Sequence, residues 1–141
     1  MSETKAAGVK MEAASLQKFT VQLTHLPSGT LIQTDAPRDN GGEGSSFSPT
    51  DLVGAALASC ALTTMSLVAS RSGIVFAGGS AAVEKVMTPP PRRIASLELV
   101  LTLPGGLSAT ERGVLEEAAT GCPVARSLHP DVSCPMRFVY A

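Results

Sequence analysis

The chain has 141 residues, 44% hydrophobic but only 4% aromatic, with a formal net charge of −1 from 11 basic and 12 acidic side chains. That length fits one domain, and the balanced charge leaves no electrostatic case for nucleic acid or an anionic membrane surface. The three cysteines, an odd number without a CxxC pair, argue against a secreted disulfide framework and fit a reducing, cytoplasmic setting.

In chain order, residues 1–15 read as a flexible polar tail ahead of a single domain spanning 16–141. The N-terminus holds no apolar run long enough for a signal peptide. Phe19, Val21 and Leu23 then alternate with Thr20, Gln22 and Thr24, the period of a half-buried strand. Pro27, Ser28 and Gly29 predict a turn into a second strand over 30–34. The stretch DAPRDNGGEGSSF, residues 35–47, is a long loop of the kind that carries function.

A long helix begins at Ser48-Pro49-Thr50-Asp51. Ser48 suits the cap, Pro49 the first helical position, and Asp51 the positive end of the dipole. The helix is expected to run to about Ser72 and stop at Gly73. Residues 52–70 carry no charge, which raises a membrane span as an alternative. The run is rich in Ala, Ser, Thr and Gly and is capped at its start, so it reads instead as a buried soluble helix. The core is thin in large side chains, and burial by a second copy of the chain would help it.

Strands are expected over 74–76 and 80–87, with Gly78-Gly79 as the bend between them and TPPPRR as a stiff connector afterwards. Leu97, Leu99, Leu101 and Leu103 alternate with Ser96, Glu98 and Thr102, a further strand. Ser108 to Glu111 is a capping box whose helix reaches Thr120 and stops at Gly121. Cys122-Pro123 restarts a short helix ending near Leu128, and residues 132–140 form a last strand, with Pro135 placing its start at an edge. The order β-β-α-β-β-β-α-α-β segregates sheets from helices and defines an α+β fold.

Two of the cysteines occupy chemically distinctive positions. At about 100° per residue, Val53, Ala56, Cys60, Thr63, Thr64 and Leu67 share one helix face. Cys60 in such a face is, by itself, a small buried hydrophobe. Cys122 stands at a helix start, and two readings are open: a thiol tuned toward the thiolate by unpaired backbone N–H groups and the dipole, or only a poor cap. A thiolate at Cys60 would need a nearby cation, and Arg38 in the long loop is a candidate. Cys134 reads as structural. A zinc site from the cysteines with His25 or His129 lacks any ligand pair of zinc-like spacing.

The segment SPTDLVGAALASC (residues 48–60), followed later by CPVA (122–125), closely resembles the OsmC/Ohr family of thiol-dependent peroxidases. The similar elements run from about Thr20 to Tyr140. The resemblance implies an OsmC-like fold with antiparallel sheets around a long central helix, in an intertwined homodimer. It also implies a peroxidatic Cys60, a resolving Cys122, and a loop arginine beside the Cys60 thiolate, a role that falls to Arg38. Peroxidase members carry a Glu after the Pro of this motif. Here Thr50 takes that place and the acid follows at Asp51, which points away from Cys60, about 13 Å off along the axis.

The resulting expectation is a cysteine-based peroxidase acting on organic hydroperoxides through Cys60 and Cys122. It would need no metal or organic cofactor, only an external dithiol reductant. The alternative is a non-catalytic relative that holds a small apolar ligand in the dimer cleft.

Overall fold

Strands β1 (Met11–Ser15), β2 (Thr20–His25) and β3 (Thr30–Asp35) form an antiparallel meander in the order β1-β2-β3. The computed structural model describes residues 6–141. Met11–Ser15 corrects the expected tail. Its five side chains are all exposed, so no apolar pattern announces a strand. What makes it one is the row of backbone partners on β2, from Met11↔His25 to Ser15↔Val21.

The chain divides into two compact units, one ending at Thr50 and the other Asp51–Ala141. Each unit closes a three-stranded sheet of its own, so neither needs a strand from the other to complete its ladder.

Helix α1 (Pro49–Ser72) has the expected bounds. Gly73 takes φ +68, and the Ile74 N–H donates to the Ala69 carbonyl at 2.9 Å, which satisfies a carbonyl the helix end leaves open. By length and composition α1 could cross a membrane. In the second unit a stripe of it is buried: Gly54, Leu57, Ala61, Met65 and Ala69, spaced three or four apart.

Residues 74–79 form no strand, contrary to expectation. Gly78 has φ +98, outside the extended region a ladder requires. Strand β4 (Ser80–Met87) follows with the expected bounds, then β5 (Ile94–Leu103), helix α2 (Ala109–Thr120), helix α3 (Pro123–Ser127) and β6 (Met136–Tyr140). Both halves of the capping box form: the Ser108 hydroxyl accepts from the Glu111 N–H, and the Glu111 carboxylate accepts from the Ser108 N–H.

The sheet order is β4-β5-β6. β4 pairs antiparallel with β5, but β6 runs parallel to β5, a departure from all-antiparallel sheets. The physical reason is the connection: α2 and α3 form a crossover, which returns the chain to the same end of the sheet. β6 also starts later than expected. Pro135 has no N–H to give, and Ser133 makes only an isolated bridge with Ser96.

β5 supplies the centre of the core. Leu97, Leu99, Leu101 and Leu103 are each at most 1% exposed and cluster with Leu57, Ala61, Met65, Leu115, Ala119 and Cys122. At Gly54, α1 comes close to the sheet: a Cβ there would lie 3.2 Å from Leu97 Cδ2 and 3.6 Å from Val83 Cγ2.

Candidate active site

The buried stripe of α1 is offset from the expected face. Val53, Cys60 and Thr64 are half-buried, while Ala56, Thr63 and Leu67 are exposed. Cys60 therefore lies at the margin of the core, packed against it but reachable from solvent. Its Sγ is 3.9 Å from Thr64 Oγ1, one turn along the helix.

Cys122 is fully buried. It is the N-cap of α3, extended at φ −64°, ψ 155°, with Pro123 behind it, and its side chain makes no capping hydrogen bond. Burial pushes its thiol above the ordinary value. The Ala125 N–H works in the opposite direction, the Cys60 thiol raises it further through a hydrogen bond and its charge, and the Val124 N–H adds a small lowering. The expected thiolate-favouring effect of the helix start is thus present but loses to desolvation.

That same interaction brings two of the predicted residues together. Cys60 and Cys122, both free thiols, lie near enough for Cys60 to help raise the Cys122 thiol. Cys60 is half-buried and Cys122 fully buried. Cys134 is half-buried on the segment before β6, its Sγ 3.7 Å from the Val132 carbonyl, and burial raises its thiol too.

Arg38 belongs to the N-terminal unit. It opens a short 3-10 turn, Arg38–Asn40, is exposed, and donates its Nε to the Glu43 carbonyl at 3.0 Å. Thr50 Oγ1 lies 3.3 Å from Ser48 Oγ. Asp51 pairs with Lys85 at 2.7 Å. Sequence reasoning missed Lys85. The signal was available: in β4 the inward register Ala81, Val83, Lys85, Met87 places a cation among apolar side chains, where it must find a partner.

Residues 42–136, more than half of the chain, match the family model described as OsmC-like protein. A crystal structure of a protein from Psychrobacter arcticus 273-4, termed an osmotic stress induced and detoxification response protein, is 35% identical, with a TM-score of 0.86 over 96% of this chain and 98% of that one. This chain belongs to the OsmC family. Its fold is also that of an organic hydroperoxide resistance protein OsmC from Legionella pneumophila, at 18% identity and TM-score 0.75 over 96% of this chain and 99% of that one. An organic hydroperoxide resistance protein from Elizabethkingia anophelis is similar at 14% identity and TM-score 0.77, over 99% and 100% of the two chains. None of the curated proteins compared matches the chain.

Proposed function

We propose that this protein is a homodimeric, thiol-dependent peroxidase that reduces organic hydroperoxides in the cytoplasm, as part of oxidative-stress defence. The observation that carries the reading is the nearness of half-buried Cys60 to buried Cys122, the one packed against the core cluster that contains the other. Names borne by relatives of the same fold point the same way.

The Cys60 thiolate attacks the distal oxygen of ROOH. The O–O bond breaks, and the alkoxide takes a proton from solvent and leaves as ROH. Cys60 becomes a sulfenic acid. Attack by Cys122 sulfur then forms the disulfide and releases water. An external dithiol restores both thiols by exchange and is itself oxidised to a disulfide. The family resemblance assigns the cation for this chemistry to Arg38, the arginine of the loop preceding α1, and the rate of Arg38→Ala tests that role. Asp51 is engaged by Lys85 and serves the helix start rather than the chemistry. A second copy covers the uncharged outer side of α1, where Ala56, Ser59, Thr63, Ser66 and Leu67 are exposed.

Mass spectrometry after one equivalent of cumene hydroperoxide tests the reading. The expected product is a Cys60–Cys122 disulfide with Cys134 free. A disulfide that includes Cys134 as the main product refutes the assignment of thiols. No peroxide consumption at all would leave the apolar-ligand alternative in possession.

A further inference from the structure

Cys122 lies at the seam between α2 and α3, and the peptide groups around it are tied on each side. The Gly121 N–H donates to the Glu117 carbonyl at 3.0 Å, and the Cys122 N–H to the Ala119 carbonyl at 3.3 Å. The Cys122 carbonyl accepts the Arg126 N–H at 3.1 Å, the opening bond of α3. The Gly121 carbonyl stands past the end of one helix and ahead of the other, so neither ladder supplies it with a donor.

The Arg126 side chain does. Its Nε donates to the Gly121 carbonyl at 2.8 Å. The guanidinium lies over the glycine: a Cβ on Gly121 would be 3.6 Å from Nη2 and 3.9 Å from Nε. The last turn of α2 has no basic side chain of its own, and Arg126 brings a cation to the negative end of its dipole from α3. One residue therefore binds the carbonyls on both sides of the Cys122 Cα, one through its side chain and one through its backbone. The Cys122 side chain makes no capping hydrogen bond, so the backbone sets where its buried sulfur stands.

We infer that Arg126 is a positioning residue for Cys122: by holding the Gly121 carbonyl it fixes the 121–122 peptide that aims the buried thiol at Cys60. The inference rests on the reading of Cys122 as the resolving thiol. Arg126 is exposed and Cys122 is not, so the arginine can be replaced without opening the core. Arg126→Ala keeps the backbone bond to the Cys122 carbonyl and loses only the grip on Gly121.

The test is the equilibrium of the pair with glutathione, in which protein dithiol and glutathione disulfide give protein disulfide and two glutathione thiols. It reads how well the sulfurs are placed for each other and needs no peroxide. The proteins are wild type, Arg126→Ala, Arg126→Lys and Ser127→Ala, with the Cys60–Cys122 disulfide measured by mass spectrometry after acid quench. Arg126→Ala is expected to lower the oxidation equilibrium constant by about two- to tenfold, the effect of one net hydrogen bond. Arg126→Lys, whose ammonium can still donate to the Gly121 carbonyl, recovers part of the loss. Ser127→Ala removes a different bond of α3, from its hydroxyl to the Pro123 carbonyl at 2.8 Å, and stays near wild type. With cumene hydroperoxide, Arg126→Ala oxidises Cys60 at the wild-type rate but closes the disulfide more slowly, so dimedone traps more sulfenic acid. A wild-type equilibrium constant in Arg126→Ala overturns the inference. So does an equal fall in Arg126→Ala and Ser127→Ala, which means general loosening of α3. Wild-type protein that forms the disulfide with glutathione but ignores peroxide removes the peroxidase reading and leaves the positioning role standing. Wild-type protein that forms no Cys60–Cys122 disulfide with either oxidant removes both.

Discussion

Replacing Cys122 with serine is expected to leave the fold intact and block recycling, and comparison with Cys122→Ala separates the two effects. Cys122 has the extended backbone of an N-cap, yet its sulfur makes no capping bond. The N–H groups of Ala125 and Val124 nevertheless face it closely enough to oppose its upward shift. A serine hydroxyl is a better acceptor for the Ala125 N–H than a thiol. Ser over Ala at an N-cap is worth about 1 kcal/mol. The position is fully buried, so a hydroxyl that failed to bond would instead cost about 1–3 kcal/mol. The sign of the difference therefore reports whether the bond forms. For a chain of this size about 1 kcal/mol corresponds to roughly 4 °C in Tm. Calorimetry should place Cys122→Ser about that far above Cys122→Ala. In the peroxide assay both variants should be oxidised once at Cys60 and then recycle slowly with a dithiol. A Tm for the serine variant at or below that of the alanine variant refutes the capping argument. Wild-type turnover in both variants refutes the resolving role.

Asp51→Ala should lose the Lys85 ion pair and a favourable charge at the start of α1, about 0.5–1 kcal/mol by chemical denaturation, with peroxide reduction little changed. Arg38→Ala should slow reduction far more; the reverse order would reassign the two residues. Tyr140 is pushed up to about 12 from 10.0, first by burial, then by its hydrogen bond to Glu116 and that carboxylate's charge, against a smaller lowering from Arg112. Because the folded state holds this proton more tightly, its contribution is complete below about pH 10 and is lost as pH rises through about 12. The loss is at most on the order of 2 kcal/mol. Urea titrations at about pH 9 and about pH 11 should show it in wild type and not in Tyr140→Phe; an equal fall in both would place its origin elsewhere. Light scattering at micromolar concentration should give a dimer, and a monomer there would remove the proposed cover for the outer side of α1.

Much of the architecture was legible because its signals are local. The bounds of α1 follow from Pro49 at one end and a left-handed Gly73 at the other. The capping box Ser108–Glu111 and the alternating leucines of β5 are equally self-contained. Where an element depends on a distant partner, local reading failed. Met11–Ser15 is a strand only because β2 offers it a backbone row, and β6 is parallel only because α2 and α3 carry the chain across the sheet. The site divides in the same way. The identity of the residues in the thiol motifs was written in the chain, and with it the family. Tertiary structure alone decided that Cys122 is buried rather than poised as a thiolate, that Cys60 lies at the core margin, and that Lys85 answers Asp51. Caps and periodicities act over a few bonds and so belong to the sequence. Desolvation and charge pairing depend on which surfaces meet, and that is settled only when the chain has folded.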